Sequence, residues 1–317
     1  MSPRTSLRRT LTTLEYFAFG FGSMVGVGWV VLIDDWLGRG GPGGGIVAFL
    51  LGGLALLPIA LTYGRMARIV QDAGAEVAYT EGIFPAPLSY AAGWVMVLAY
   101  LVVCPWEAVA IGNLMARALP GMNLVPLYAV GGKAITLPRL AAGLSLVALI
   151  ATLNYRGMQL SSRLQKLTTF GMLALFLGFT ALGLAKGRPD HLKPFFAHPG
   201  AAGAGLSILL MLQVMPYFMT GFETVVKGSE EAEAGYDARG FGRAMVFSLA
   251  AGSLFYTLVI LVVAFVFPWR DLVAGKFGTE QAFQLAFGSR LVAQAILLAA
   301  LLSLLKVYNA MFVAATR

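Results

Sequence analysis

The sequence predicts an all-α integral membrane protein of about eight spanning helices, with the first and sixth spans broken. Of its 317 residues, 58% are hydrophobic and only 12% are charged, against about 25% charged residues in soluble domains. Seven intervals carry no charge, and an eighth, from Arg290 to Arg317, is interrupted only by Lys306. A helix of about 20 apolar residues crosses a bilayer because it satisfies its own backbone polar groups.

The charge-free intervals place the helices along the chain. We expect spans near 14–36, 44–68, 87–118, 137–155, 164–186, 202–227, 243–268 and 290–315. Pro138 suits the start of the fourth and shortest span, since its missing N–H is not needed in a first helical turn. The stretch from Ile69 to Pro85 is too polar to span and is expected at the cytoplasmic face. Residues 279–288 are expected to form a short helix on the outer face.

The basic residues are explained better by a membrane surface than by nucleic acid. The net charge is +8, but the Lys and Arg residues sit in short loops beside spans. A small excess of them falls on the cytoplasmic ends if the amino terminus lies inside, which predicts a multi-pass protein of the inner, cytoplasmic membrane with a cytoplasmic amino terminus. The oligomeric state is not predicted.

Neither a cofactor nor an enzymatic activity is predicted. The only cysteine is Cys104, and the two histidines lie together in a polar connection without a third metal ligand. There is no reactive Cys setting and no Ser–His pairing. The sequence therefore favours neither a metal site nor a membrane enzyme.

Small residues and a proline interrupt two of the predicted spans. The interruption in the first span, within FGFGSMVGVGW, consists of Gly20, Gly22, Ser23, Gly26 and Gly28. The sixth span contains Pro216 and Gly221 within MPYFMTGFE. Since proline lacks an N–H and clashes with the preceding turn, the helix is expected to unwind from Pro216 to Gly221.

Two breaks five helices apart predict a binding site. Broken helices at membrane depth occur where they are buried in protein or line a cavity. In inverted-repeat transporters, paired discontinuous helices form the substrate site near the midplane. The alternative is that the glycines permit close helix packing and the proline makes a kink. The matching positions of the two breaks favour the binding site.

Five segments resemble the amino acid–polyamine–organocation superfamily, in that family's order and spacing. They are GSMVGVGW in the first span, GPGGGIVAFLLGGL, YGRMARIVQDAGAEVAY, PYFMTGFE followed by GSEEAE, and NAMFVAATR in the eighth span. The resemblance implies the LeuT-type fold, with two five-helix repeats related by inverted symmetry and usually twelve helices.

The resemblance also implies a domain organisation. Residues 1–13 would be a cytoplasmic segment, 14–186 the first repeat, 187–201 an external loop and 202–317 a partial second repeat without its last two helices. A fragment, a truncated gene product and a shortened natural form are the alternatives for that difference.

By resemblance, the substrate site is drawn from the first, third, sixth and eighth helices. Free N–H groups in the first break are expected to bind a substrate carboxylate; the residues concerned are Ser23, Met24, Val25, Gly26 and Gly28. Free carbonyls in the sixth span, near Tyr217, Phe218, Thr220 and Gly221, are expected to accept from its ammonium. Tyr217 takes the position of the family's aromatic gate, or else is a packing aromatic.

Three ionisable residues within spans suggest further roles, because intramembrane charge is costly. Glu107 either binds a cationic head group or satisfies unwound backbone N–H groups. Glu223 is expected to bridge the second half of the sixth helix, and with Ser303 and Lys306 it is a candidate for coupling. Lys306, one turn after Ser303, either snorkels to the inner face or replaces a sodium ion and carries a coupling proton. Proton-coupled relatives often carry a lysine midway along the fifth helix, where this chain reads TTFGMLALF.

The predicted function is secondary transport of an amino acid by alternating access, coupled to protons or working by exchange, with sodium coupling less favoured. The alternative within transport is a polyamine, a basic amino acid or another organic amine. The alternative of another class is a truncated, non-transporting membrane protein such as a sensor or partner subunit.

Overall fold

The structure is a computed structural model that describes residues 11–131 and 133–316; residues 1–10 of the predicted cytoplasmic segment lie outside the described part. In that part, eight helices are long and apolar enough to cross a membrane, which confirms the all-α membrane class. They are Thr13–Val31, Ile33–Ile69, Ala86–Ala118, Leu137–Tyr155, Met158–Lys186, Gly200–Lys227, Arg239–Val266 and Arg290–Ala315. We number them as spans 1 to 8.

Spans 4 and 8 have the predicted bounds, whereas span 5 begins at Met158 instead of residue 164. Its first turns are polar, so they fall outside the charge-free interval. They are helical because they pack on other spans: Ser161 Oγ donates to Asn309 Oδ1 of span 8 at 2.9 Å, and Gln165 Nε2 donates to Ala18 O of span 1 at 3.1 Å. Buried polar groups that find partners do not oppose folding.

The first two spans are joined through a kink at Gly41. A helix restarts at Ile33 and continues to Ile69, with a sharp change of direction at Gly41, where φ is +62°. A side chain at Gly41 would lie 2.7 Å from the backbone nitrogen of Ala197, in the loop before span 6. Glycine is needed here both for its left-handed backbone and for the approach of that loop.

The connections contain elements that the charge pattern only partly predicts. The predicted short helix at 279–288 is confirmed as Thr279–Phe287, and Thr279 Oγ1 donates to Trp29 O of span 1 at 2.6 Å. A second short helix, Trp269–Gly275, precedes it. A hairpin of strands Pro126–Val130 and Lys133–Thr136 joins spans 3 and 4, and the sequence did not predict it.

A buried ion pair holds the last turn of span 6 against the loop after span 2. Lys227 Nζ bonds Glu76 Oε2, and the two side chains are only 6% and 11% exposed. Tyr63 of span 2 donates to the other oxygen of Glu76 at 3.1 Å. The Lys227 ammonium also lies 5.6 Å from the ring centre of Tyr100.

Replacing Lys227 with methionine should destabilise the protein by about 3–5 kcal/mol, because the carboxylate of Glu76 would stay buried without its cation. Thermal unfolding in detergent measures the change. The control is Lys193→Met, which breaks an exposed pair with Asp190 and should have little effect. Equal changes in unfolding temperature for the Lys227 and Lys193 variants would contradict the structural role of the buried pair.

Candidate functional site

The first span is broken over three residues. One helix ends at Met24 and the next begins at Gly28. Among the described residues, no acceptor bonds the backbone N–H groups of Val27 and Gly28. The break therefore leaves hydrogen-bond donors at the start of the second half of the helix, where the helix dipole is positive.

Three carbonyls of this break are occupied. Lys306 Nζ donates to Gly22 O at 3.1 Å and also bonds Val25 O. The hydroxyl of Tyr256, in span 7, donates to Met24 O at 3.0 Å. Tyr256 could not be recognised from the sequence, because a tyrosine inside an apolar span is typical of packing. The open N–H groups of Val27 and Gly28 suit an anionic group, while the carbonyls of Gly22, Met24 and Val25 already have donors.

The break in span 6 lies later than predicted. The helix continues through Pro216 to Met219, and Thr220 N–H still donates to Pro216 O at 3.1 Å. The chain turns over residues 220–223, where Gly221 has φ +114°. Proline removes only its own hydrogen bond, whereas the positive φ of Gly221 redirects the chain, so the prediction that unwinding begins at Pro216 was wrong.

Glu223 stabilises this turn. Its Oε2 accepts from Gly221 N–H at 2.9 Å, and its Oε1 lies 3.4 Å from the hydroxyl of Tyr100 in span 3. These contacts fit the bridging role expected for Glu223. Thr220 Oγ1 donates a hydrogen bond to the Tyr217 carbonyl at 3.0 Å. No donor among the described residues bonds the carbonyls of Phe218 and Thr220.

The two breaks contact each other through Ser23. Its hydroxyl lies 2.6 Å from Gly221 O and 3.1 Å from Thr224 Oγ1. The Ser23 side chain therefore joins span 1 to span 6 and is already satisfied by the protein. Spans 1 and 6 cannot separate here without breaking this contact.

A cavity of about 80 Å³ lies between the breaks. Spans 1, 3, 6 and 8 line it through Ser23, Met24, Gly26, Val27, Gly28, Leu32, Val103, Trp106, Glu107, Tyr217, Phe218, Thr220, Val307 and Met311. The predicted substrate residues that do not line it are Val25 and Gly221. Val25 is fully buried beside Lys306, and Gly221 is covered by Ser23.

The sequence analysis missed the apolar part of the lining. On span 3, Val103 lies one turn before Glu107 and Trp106 lies directly before it, while Val307 and Met311 lie one turn apart on span 8. Helical spacing from Glu107 points to Val103, but it does not point to the other three positions. Phe218 packs edge-on against Trp36 at 4.7 Å between ring centres, while Tyr217 is 63% exposed.

Glu107 is a buried carboxylate for which the described residues provide neither a hydrogen bond to Oε2 nor an ion pair within 4 Å. It is 3% exposed, and its Oε2 is buried without a hydrogen-bond partner among the described residues. No hydrogen bond joins it to the unwound backbone of span 1, so the predicted role in satisfying those N–H groups is not what the structure shows. A buried carboxylate without donors is costly, and a cation in the adjoining cavity would compensate it.

Lys306 is fully buried, so the alternative of a snorkelling lysine is wrong. Its ammonium lies among the carbonyls of the first break and 5.4 Å from the ring centre of Phe21. Ser303, one turn earlier, is also fully buried, and its hydroxyl has no partner among the described residues. A cation is thus held at the negative end of the first helix segment.

These features define a multi-pass membrane protein whose two broken helices close around a cavity that contains a buried carboxylate, as in transport proteins. The family model described as "Amino acid permease" matches residues 11–317. The chain belongs to the amino acid permease family of membrane transporters.

Relatives are found in bacteria and in animals. The chain is 25% identical to the methylthioribose transporter and 26% identical to the branched-chain amino acid permease BcaP of Bacillus subtilis (strain 168), over 100% of this chain and 67% of each relative. It is 31% identical to cationic amino acid transporter 4 of Mus musculus, over 98% of this chain and 50% of the relative. The chain thus spans about two thirds of the bacterial relatives and half of the mouse one.

Proposed function

We propose that this protein binds an α-amino acid between the two breaks and moves it across the cytoplasmic membrane by alternating access. The observation that carries the proposal is the pairing of open donors with an unpaired carboxylate in one cavity. The N–H groups of Val27 and Gly28 suit the substrate carboxylate, and Glu107 suits its ammonium. The free carbonyls of Phe218 and Thr220 add acceptors on the ammonium side.

The transport cycle is proposed from the same features. The repeats 14–186 and 202–317 would rock about the fixed site, with the amino terminus in the cytoplasm. The ammonium of Lys306 holds the carbonyls that a sodium ion would otherwise use, which supports proton coupling or exchange. No catalytic step and no cofactor are included in the proposal.

A second candidate function is transport of an organic amine, a polyamine or a basic amino acid. The lack of a hydrogen bond to Glu107 Oε2 among the described residues favours it, because a cationic group alone would satisfy that carboxylate. The two candidates differ in whether a carboxylate is needed on the ligand.

A ligand panel on the purified chain in detergent separates them. We expect an α-amino acid to raise the unfolding temperature, and its amide and its N-acetyl derivative not to do so. Stabilisation by amines alone would favour the second candidate. Stabilisation by none of these ligands would contradict the site and favour the non-transporting alternative.

Replacing Glu107 with glutamine should weaken binding of the stabilising ligand roughly 10–100-fold, because a charge-assisted hydrogen bond is lost. The unliganded protein should unfold at the same or a higher temperature, since an unpaired buried charge is removed. Binding is measured by the concentration dependence of the thermal shift. Glu81→Gln, at an exposed loop carboxylate, is the control and should change neither quantity. Unchanged affinity in the Glu107 variant would contradict its role.

A further inference from the structure

A groove lies where span 2 ends and span 7 begins, away from the substrate cavity. The two helices cross there at Gly64 and Gly242, so closely that a side chain on Gly64 would lie 2.7 Å from Gly242 Cα. The groove beside this crossing has a volume of about 350 Å³. The close crossing lets side chains of both helices line one site.

Four arginines line the groove, and they are Arg65 and Arg68 of span 2 and Arg239 and Arg243 of span 7. All four are exposed, and none forms an ion pair with a carboxylate of the described residues. The nearby Asp237 accepts from the backbone N–H of Arg239 at 2.9 Å. Four guanidinium groups that repel one another in one groove are complementary to an anion, and guanidinium binds phosphate oxygens in pairs.

The remaining lining is apolar. Leu61, Val246 and Phe247 lie up to two turns further into the spans than the arginines, and Leu61 and Phe247 are 51% and 64% exposed. An apolar groove of about 600 Å³ adjoins it between spans 1 and 7 and shares Phe247. The ligand that fits has an anionic head at the end of the spans and hydrocarbon chains along them.

We propose that this groove binds an anionic phospholipid. Its phosphate is held by Arg65, Arg68, Arg239 and Arg243, and its acyl chains lie against Leu61 and Phe247. Basic pockets between spans at the cytoplasmic surface, where the sequence places these arginines, are suited to anionic lipid heads. A free phosphate would use the arginines but not the apolar part of the groove.

The test is the thermal stability of the purified full chain in neutral detergent, titrated with phosphatidylglycerol, phosphatidylcholine or glycerol 3-phosphate. We expect saturable stabilisation by phosphatidylglycerol only. Each basic side chain at an anionic lipid surface contributes roughly fivefold in affinity, so Arg65→Gln with Arg239→Gln should weaken the response about 25-fold. Arg156→Gln with Arg163→Gln removes the same charge from exposed positions at the ends of spans 4 and 5 and should leave the response unchanged.

Equal stabilisation by phosphatidylcholine or by glycerol 3-phosphate would overturn the proposal, as would equal loss in both double variants. If the Arg65 and Arg239 double variant cannot be purified, the test is made on the unsubstituted protein. A photoactivatable phosphatidylglycerol is crosslinked to it, and the crosslinked residues are identified. The proposal requires crosslinks in residues 61–68 and 239–247, and crosslinks elsewhere alone would overturn it.

Discussion

Replacing Lys306 with methionine should abolish pH-dependent accumulation of substrate. Methionine keeps much of the apolar stem but leaves the carbonyls of Gly22 and Val25 buried without the ammonium that bonds them. Each unsatisfied buried acceptor costs about 1–3 kcal/mol. With two such carbonyls, the conformation of the first break should be destabilised by roughly 2–6 kcal/mol. Uptake should fall on the order of 30-fold or more.

Two transport assays in proteoliposomes, substrate exchange and uptake driven by a pH gradient, distinguish loss of proton coupling from loss of the binding site. If Lys306 carries the coupling proton, the variant should keep some exchange of labelled for unlabelled substrate while losing its response to a pH gradient. Lys186→Met changes an exposed lysine at the end of span 5 and should leave both assays unchanged. Unchanged pH-dependent uptake in the Lys306 variant would show that the coupling proposal is wrong.

Replacing Gly221 with alanine should be among the most destabilising single changes in the protein. The backbone at Gly221 has φ +114°, and a side chain there would lie 2.7 Å from Ser23 Oγ and 2.9 Å from Ser23 C. Strain at such a backbone position costs about 1–3 kcal/mol, and overpacking adds a similar amount. A loss of about 3–5 kcal/mol and loss of ligand binding are expected.

The control for Gly221→Ala is Gly205→Ala in the same span. Gly205 is helical and exposed, and a side chain there would meet nothing within 4 Å. Alanine at that position should be neutral or stabilise by up to about 1 kcal/mol. Thermal unfolding measures both variants, and a Gly221 variant as stable as the Gly205 variant would contradict the close contact between the breaks.

The eight spans were predictable because the bilayer allows few charges in a lipid-facing helix. The charge-free intervals misplaced the start of span 5, where other spans bury polar residues such as Ser161 and Gln165. They also gave no information on the hairpin at 126–136, whose strands lie in a connection. At the start of span 5, tertiary contacts, which the local pattern does not contain, decide the structure.

The site was predictable in its components but not in its details. Glycines and a proline revealed the breaks, yet the turn in span 6 depends on the backbone at Gly221 and not on Pro216. Spacing placed Lys306 one turn after Ser303, but the pattern does not tell whether its ammonium turns toward span 1 or toward the inner face. Only the packed structure shows that it turns inward to the carbonyls of span 1.

The central claim is that the substrate lies between the two breaks with its carboxylate at span 1 and its cationic group at Glu107. A cryo-electron microscopy map of the full chain with its most stabilising amino acid tests this directly. We predict ligand density between the N–H groups of Val27 and Gly28 and the carboxylate of Glu107. Ligand density outside this cavity, or a ligand bound in the reverse orientation, would contradict the account.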